Sequence, residues 1–218
     1  MLYKETVSPT TLGILKSLMK DEKLNDFILV GGTALSLIIG HRISIDLDLF
    51  SKRGFDQFVL QEHLQNKYKF KADYIDRNTL KGNASGVALD FITHNYENVG
   101  EIAIIEGVRL ASLQDIAAMK LNAIINNGTR LKDFLDIVFL GEKIPFNEMV
   151  RAYEDKYKTS AVMAAKAVLY HNDIDHTVKI NLVRQKYNFH NMVKALEMLV
   201  ASPAKTHPLI SSKSNHDR

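Results

Sequence analysis

The stretch from residue 27 to residue 50 reads FILVGGTALSLIIGHRISIDLDLF and contains the features that decide the fold. Residues 27–30 are apolar and stop at Gly31 and Gly32, which predicts a short buried strand that ends in a tight turn. Residues 33–39 contain good helix formers and are followed by Gly40, so we expect a short helix with this glycine near its C-terminal cap.

A second strand is predicted for residues 43–50, where apolar and polar side chains alternate. Because residues two apart on a strand point to the same face, one face carries Ser44, Asp46 and Asp48. The other face is expected to carry the apolar side chains Ile43, Ile45, Leu47 and Leu49.

Asp46 and Asp48 are the strongest candidates for a functional site. On a strand, their side chains lie on one face about 6.6 Å apart along the chain, where the two negative charges repel each other. A divalent cation relieves that repulsion, and hard carboxylate oxygens suit magnesium, which takes the rest of its shell from water and substrate phosphates. An edge strand with two solvated aspartates explains the same pattern, so both interpretations stay open on this feature alone.

The glycine pair is the second candidate feature. Glycines let the backbone approach a phosphate closely, and the start of the next helix presents free N–H groups to an anion. Thr33 is placed either to cap that helix or to contact a phosphate oxygen. An ordinary turn between a strand and a helix remains the alternative interpretation.

The rest of the chain predicts an α+β protein, because strands and helices mix in the first half and helices alone fill the second. We place the α/β catalytic part at residues 1–110, a helical part at 111–202 and a disordered polar tail at 203–218. Helices are predicted at 10–20, 55–65, 113–125, 130–140, 146–157, 160–170 and 189–201, and further strands at 68–74, 86–93 and 101–105.

The composition is that of a soluble globular protein. The 218 residues are 46% hydrophobic and 24% charged, with a net charge of +3. The absence of cysteine excludes disulfides and cysteine-based zinc sites. We find no apolar signal region and no stretch of roughly 20 apolar residues that could span a bilayer, and we therefore expect a cytoplasmic protein.

The glycine turn followed by Asp46-Leu47-Asp48 resembles the signature of the polymerase-beta-type nucleotidyltransferases. The longer run of residues 31–50 is similar to the nucleotidyltransferases of the AbiEii/AbiGii toxin family. That family also has a third strand carboxylate, a helical lysine and a Lys-Asp-x-x-Asp stretch. The corresponding residues here are Asp90, Lys120, Asp133 and Asp136.

The resemblance implies a polymerase-beta-like mixed sheet followed by a helical bundle, and a magnesium- or manganese-dependent transfer of a nucleotidyl group. It further implies a nucleoside triphosphate as donor, tRNA or another RNA as acceptor, and a toxin that acts beside a cognate antitoxin. Asp46, Asp48 and Asp90 would bind the metal and, with Lys120, form the catalytic set. The implied nucleotide-binding residues are Gly31, Gly32, Thr33, Arg42, Ser44, Lys120, Asp133 and Asp136.

Each of these roles has a simpler alternative. Asp90 can be a surface aspartate, Lys120 an exposed lysine on a helix, and Asp133 and Asp136 part of a salt-bridged helix surface. For the whole protein, the alternatives are a nucleotide-binding regulator without turnover and a helical interaction module.

Overall fold

The computed structural model describes residues 1–183 and 186–208. The chain divides into two compact units, Met1–Ile116 and Ala117–Arg218, which are described separately below. Most of the tail predicted at residues 203–218 lies outside the described residues, from residue 209 onward. Within the described part, no helix is both long enough and apolar enough to cross a membrane.

The first unit is built on a mixed sheet, as predicted. Two short 3-10 helices, Lys4–Thr6 and Glu22–Leu24, precede the sheet. The helices are α1 (Pro9–Met19), α2 (Gly31–Ile39) and α3 (Gln57–Tyr68), and the strands are β1 (Phe27–Val30), β2 (Leu47–Ser51), β3 (Lys71–Asp76), β4 (Thr79–Ala84), β5 (Val87–Thr93), β6 (Ala103–Ile105) and β7 (Val108–Leu110).

The strands lie in the order β3-β4-β5-β2-β1-β7-β6. β2 is antiparallel to β1 and parallel to β5, so these three adjacent strands form the centre of the sheet. One face of the centre is sealed, because Leu49, Phe91 and Leu80 are register partners on β2, β5 and β4 and are buried. The intervening residues of the same strands are only partly buried, which leaves the opposite face more open.

The strand predicted at residues 43–50 is shorter than expected. β2 begins only at Leu47, and residues 43–46 are irregular. Ile43 and Ile45 are exposed, whereas Ser44 is buried and its amide donates to the carbonyl oxygen of Thr6. The prediction that both isoleucines share the buried face of Leu47 and Leu49 is therefore wrong, because hydrogen bonding to the N-terminal segment turns Ser44 inward instead.

Two strands were missed by the sequence analysis, β4 and β7. β4 has the sequence TLKGNA, which lacks a strong apolar alternation. It pairs along its whole length with β5 through a tight turn in which Ser85 and Gly86 both have positive φ. That turn geometry matches the right-handed twist of two antiparallel strands, so the hairpin forms although the strand propensity is weak.

The second half of the chain is helical, as predicted. The helices are α4 (Leu113–Asn126), α5 (Leu131–Leu140), α6 (Phe146–Tyr157), α7 (Val162–Val168) and α8 (Phe189–Ala201). Within the second unit α5 packs against α8, and Phe134 and Leu196 from these helices are fully buried. The last described residues are held to the same unit by two backbone hydrogen bonds of 2.9 Å. The amide of Asn147 donates to the carbonyl oxygen of Pro203, and the amide of His207 donates to that of Gly141.

Candidate active site

The glycine turn brings the start of α2 against two charged side chains. Gly31 has a φ of +68°, a conformation that disfavours residues with a Cβ, and a Cβ there would overlap Oδ2 of Asp48. A Cβ on Gly32 would overlap Nη2 of Arg42. Glycine is therefore favoured most strongly at Gly31, and the backbone of the turn lies against a carboxylate on one side and a guanidinium on the other.

The sheet places Asp48 beside Asp90. The two residues are register partners on the neighbouring parallel strands β2 and β5, so their side chains leave the same face of the sheet. Adjacent strands lie about 4.8 Å apart, which puts two partly buried carboxylates side by side. This is the face that the burial pattern leaves open.

Lys81 is a site residue that the sequence analysis missed. It is the register partner of Asp90 on β4, and its Nζ lies 2.5 Å from Oδ2 of Asp90. Both side chains are partly exposed, so this ion pair is accessible to solvent. Recognising Lys81 from sequence would have required identifying β4 and its hairpin register with β5.

Asp46 lies immediately before β2 rather than within a strand. Its carbonyl oxygen accepts a hydrogen bond from the hydroxyl of Thr33, which also lies 2.8 Å from the hydroxyl of Ser44. Thr33 does not cap α2, because the N-cap residue is Val30 and Thr33 lies three residues further, inside the helix. The buried Thr33 and Ser44 instead fix the irregular segment that delivers Asp46 to β2.

Arg42 belongs to the same group of residues. Its guanidinium is buried, and Nη1 donates to the carbonyl oxygen of Ile43 at 3.3 Å and to the hydroxyl of Ser44 at 3.4 Å. The first unit thus brings together most of the predicted site residues: Gly31, Gly32, Thr33, Arg42, Ser44, Asp46, Asp48 and Asp90.

The remaining predicted site residues lie together in the second unit. Lys120 Nζ is 2.6 Å from Oδ1 of Asp133 and 2.7 Å from Oδ2 of Asp136. The three side chains are 8%, 2% and 0% exposed, and Arg130 Nε approaches the other oxygen of Asp133 at 3.4 Å. The alternatives of an exposed helical lysine and a salt-bridged surface are therefore wrong, because these charges form a buried cluster.

The carboxylates of the first unit suit a hard cation. In the described ranges, no three His, Asp or Glu side chains converge into a complete metal site. Magnesium does not require one, because it binds through one or two carboxylates and takes further oxygen ligands from water and substrate phosphates. The paired carboxylates of Asp48 and Asp90, with the glycine turn directly against Asp48, fit that mode of binding.

Comparison with known proteins points to the same chemistry. A family model described as "Nucleotidyl transferase AbiEii toxin, Type IV TA system" matches residues 13–73, which include the glycine turn, Asp46 and Asp48. A relative from Aquifex aeolicus (strain VF5), the uncharacterized protein aq_aa25, is 32% identical over 157 residues, covering 68% of this chain and 75% of the relative.

Two solved structures share the fold. A candidate nucleotidyltransferase from H. pylori has a TM-score of 0.54 at 18% identity, over 89% of this chain and 94% of that one. The protein JHP933 from Helicobacter pylori has the same TM-score and identity, over 89% of this chain and 92% of the other. The motif residues, the family match and the shared fold agree, and the chain belongs to the AbiEii family of nucleotidyltransferase toxins.

Proposed function

We propose that this nucleotidyltransferase uses magnesium to move a nucleotidyl group from a nucleoside triphosphate to a hydroxyl of an RNA acceptor, with tRNA as the first candidate. The observation that carries the proposal is the side-by-side placement of Asp48 and Asp90 next to the Gly31-Gly32 turn. Few other reactions require paired carboxylates beside a backbone turn suited to phosphate.

The glycine turn is the proposed seat of the triphosphate. The free N–H groups at the start of α2 face an anion favourably, and Gly31 and Gly32 are partly exposed between the side chains of Asp48 and Arg42. The guanidinium of Arg42, which contacts Gly32, adds a fixed positive charge at the same place. These groups hold the phosphates while Asp46 and Asp48 supply oxygen ligands for the metal.

Bound magnesium would neutralise charge on the phosphates and on the departing pyrophosphate. In the proposed reaction the acceptor hydroxyl oxygen forms a new bond to the α-phosphorus, and the bond from this phosphorus to the bridging oxygen breaks. Pyrophosphate leaves with that electron pair. Asp90 completes the carboxylate set and accepts the hydroxyl proton, while Lys81 lies 2.5 Å from Oδ2 of Asp90 and competes with a cation for that oxygen.

Lys120 is assigned to the nucleotide by family resemblance, and that role stays a prediction. Its contacts with Asp133 and Asp136 support the narrower proposal that the two aspartates hold the ammonium group in one position. A lysine fixed in this way loses little conformational freedom when it meets a negative charge.

A labelling experiment tests the proposed reaction. Purified protein is incubated with each labelled nucleoside triphosphate, magnesium and total tRNA, and transfer of label is followed on a denaturing gel. We expect transfer with the wild type and with Asp73→Asn, which changes an exposed aspartate of β3, but not with Asp48→Asn. Nucleotide binding without transfer to any RNA would contradict the proposal and favour a regulator.

The family description names a type IV toxin–antitoxin system, and we propose that an antitoxin counteracts this protein. Induced expression of the wild type is expected to slow bacterial growth, and expression of Asp48→Asn is not. Equal growth inhibition by both proteins would separate toxicity from the proposed chemistry.

A further inference from the structure

Three aromatic side chains form a row of tilted rings in contact at the sheet face that carries the carboxylates. The ring centroids of Phe50 and His94 lie 5.4 Å apart with an interplanar angle of 36°. Those of His94 and Tyr96 lie 4.8 Å apart with an angle of 45°. We call these three side chains the aromatic platform.

The strand register places the platform next to the proposed reaction centre. Phe50 follows Asp48 by two residues on β2, so both side chains leave the same face about 6.6 Å apart. On the parallel strand β5, Asp90 and Ile92 point to that face, and His94 continues the row just after the strand ends. The platform therefore extends from the carboxylates in the direction in which both strands run.

The two faces of the same strands differ in their exposure. Leu49 and Phe91, which alternate with the site residues, are buried in the core. Phe50 and His94 are only half-buried, and Tyr96 is 44% exposed. A row of aromatic rings that is left partly open to water is suited to covering a flat apolar ligand.

We propose that the aromatic platform stacks a nucleobase, either that of the incoming nucleotide or that of the acceptor residue beside it. This inference rests on the proposed function and identifies which part of the substrate meets this face. Every base has a π face, so an aromatic surface can stack any of the four bases. One two-residue repeat of the strand separates the platform from the carboxylates. A separation of that size suits the distance between the reacting phosphate of a nucleotide and its base.

Tyr96 offers the cleanest test because it is the most exposed member of the platform. Tyr96→Ala removes a stacking surface, and Tyr96→Phe retains it. Phe58→Ala is the matched control, since Phe58 is an exposed aromatic residue of α3 in the same unit. The magnesium-dependent affinities for the four nucleoside triphosphates and for inorganic tripolyphosphate are measured by calorimetry, and the KM for tRNA is measured in the labelling assay.

If the platform holds the base of the incoming nucleotide, Tyr96→Ala weakens triphosphate binding about tenfold but leaves tripolyphosphate binding unchanged. If it holds the acceptor base, nucleotide affinity is unchanged and the KM for tRNA rises by a similar factor. In both cases Tyr96→Phe and Phe58→Ala behave as the wild type.

Unchanged nucleotide affinity together with an unchanged KM in Tyr96→Ala overturns the platform while leaving the proposed function intact. Equal weakening of tripolyphosphate and nucleotide binding also overturns it, because the effect then does not involve a base. Wild-type protein that binds neither nucleotides nor tripolyphosphate would instead overturn the proposed function, and the platform with it.

Discussion

Each unit of the molecule contains a group of two aspartates and one lysine, and the two groups are built differently. In the second unit the ammonium of Lys120 contacts both Asp133 and Asp136, and the three side chains are sealed from water. In the first unit Lys81 contacts Asp90, and Asp48 lies beside Asp90 on a face that is partly open.

The difference separates charges that stabilise the fold from charges that serve a ligand. A buried charge whose partner is removed costs several kcal/mol, so we expect single substitutions in the group of the second unit to destabilise the fold. Partly exposed carboxylates held side by side repel each other, and a cation can reach them. Substitutions should therefore affect activity in the first group and stability in the second.

The largest expected effect is the loss of transfer in Asp48→Asn. The substitution keeps the shape of the side chain but removes a metal-binding charge, and we expect the rate of nucleotidyl transfer to fall about 10³-fold, or ~4 kcal/mol. The midpoint of thermal unfolding should change far less than after a substitution in the buried cluster, because Asp48 is partly exposed. A large drop in that midpoint would contradict the comparison, since it would make Asp48 a structural residue.

In the second group, Asp136→Asn should lower the free energy of unfolding by about 3 kcal/mol, because it removes one partner of a buried lysine. The free energy is measured by urea denaturation. Asp155→Asn, which changes an exposed aspartate of α6 in the same unit, is the control and should change it by less than about 0.5 kcal/mol. A small effect of Asp136→Asn would show that the cluster is not needed for folding.

A triple variant separates the structural role of the cluster from its predicted nucleotide role. Lys120→Met, Asp133→Leu and Asp136→Leu together replace a buried ion cluster by apolar side chains, which restores most of the stability lost in a single substitution. If Lys120 also meets the nucleotide, the stable triple variant loses transfer. Retained transfer would show that these three residues serve the fold alone.

The same contrast explains what the sequence could predict. Gly31, Gly32 and Asp48 could be placed in one candidate site because short strands and turns follow from local pattern, and the pairing of β1 with β2 then brings Gly31 against Asp48. Lys81 could not, because its place beside Asp90 depends on the register of a hairpin whose strand β4 has a weak pattern. The sequence predicted that Asp133 and Asp136 share one face of a helix, but it did not predict that this face is buried.

The errors at Ile43 and Ile45 have a related cause. Alternation predicts which residues share a face, but only where the backbone is extended. The segment before β2 is instead held by the amide of Ser44 on Thr6 and by the hydroxyl of Thr33 on Asp46. Thr6 and Thr33 lie outside the alternating segment, so the alternation of residues 43–50 could not reveal either contact.

Asp21 is a buried carboxylate of the first unit and lies outside both groups. Its Oδ2 accepts hydrogen bonds from His63 and Tyr68 at 2.7 Å and lies 3.0 Å from Nζ of Lys67. Burial raises the pKa of Asp21, but the hydrogen bonds from His63, Tyr68 and Lys67 outweigh it and hold this pKa well below its usual range. Asp21 should therefore behave like the acids of the second unit.

We expect Asp21→Asn to lower the free energy of unfolding by about 2 kcal/mol at pH 7, where the wild-type carboxylate is ionised in both states. Because the folded-state pKa is depressed, this contribution is present above about pH 4 and is lost as the pH falls toward the folded-state value. Urea unfolding at pH 7 and pH 3 should show the difference between variant and wild type shrinking in acid. Asp26→Asn, at an exposed position nearby, should show no such convergence.

The smallest expected effect is a change in magnesium affinity on substitution of Lys81. It tests whether this lysine competes with a cation for Asp90. The ammonium of Lys81 contacts Oδ2 of Asp90, so a cation that uses this carboxylate must compete with Lys81. Removing the competitor in Lys81→Gln should tighten magnesium binding about fivefold, since partly exposed ion pairs contribute at most about 1 kcal/mol. Lys71→Gln, at an exposed lysine of β3, should leave the affinity unchanged in the same calorimetric titration.

Weaker binding in Lys81→Gln would mean that the lysine holds Asp90 in place for the metal. The first group would then resemble the second, in which the lysine and the acids hold one another in place.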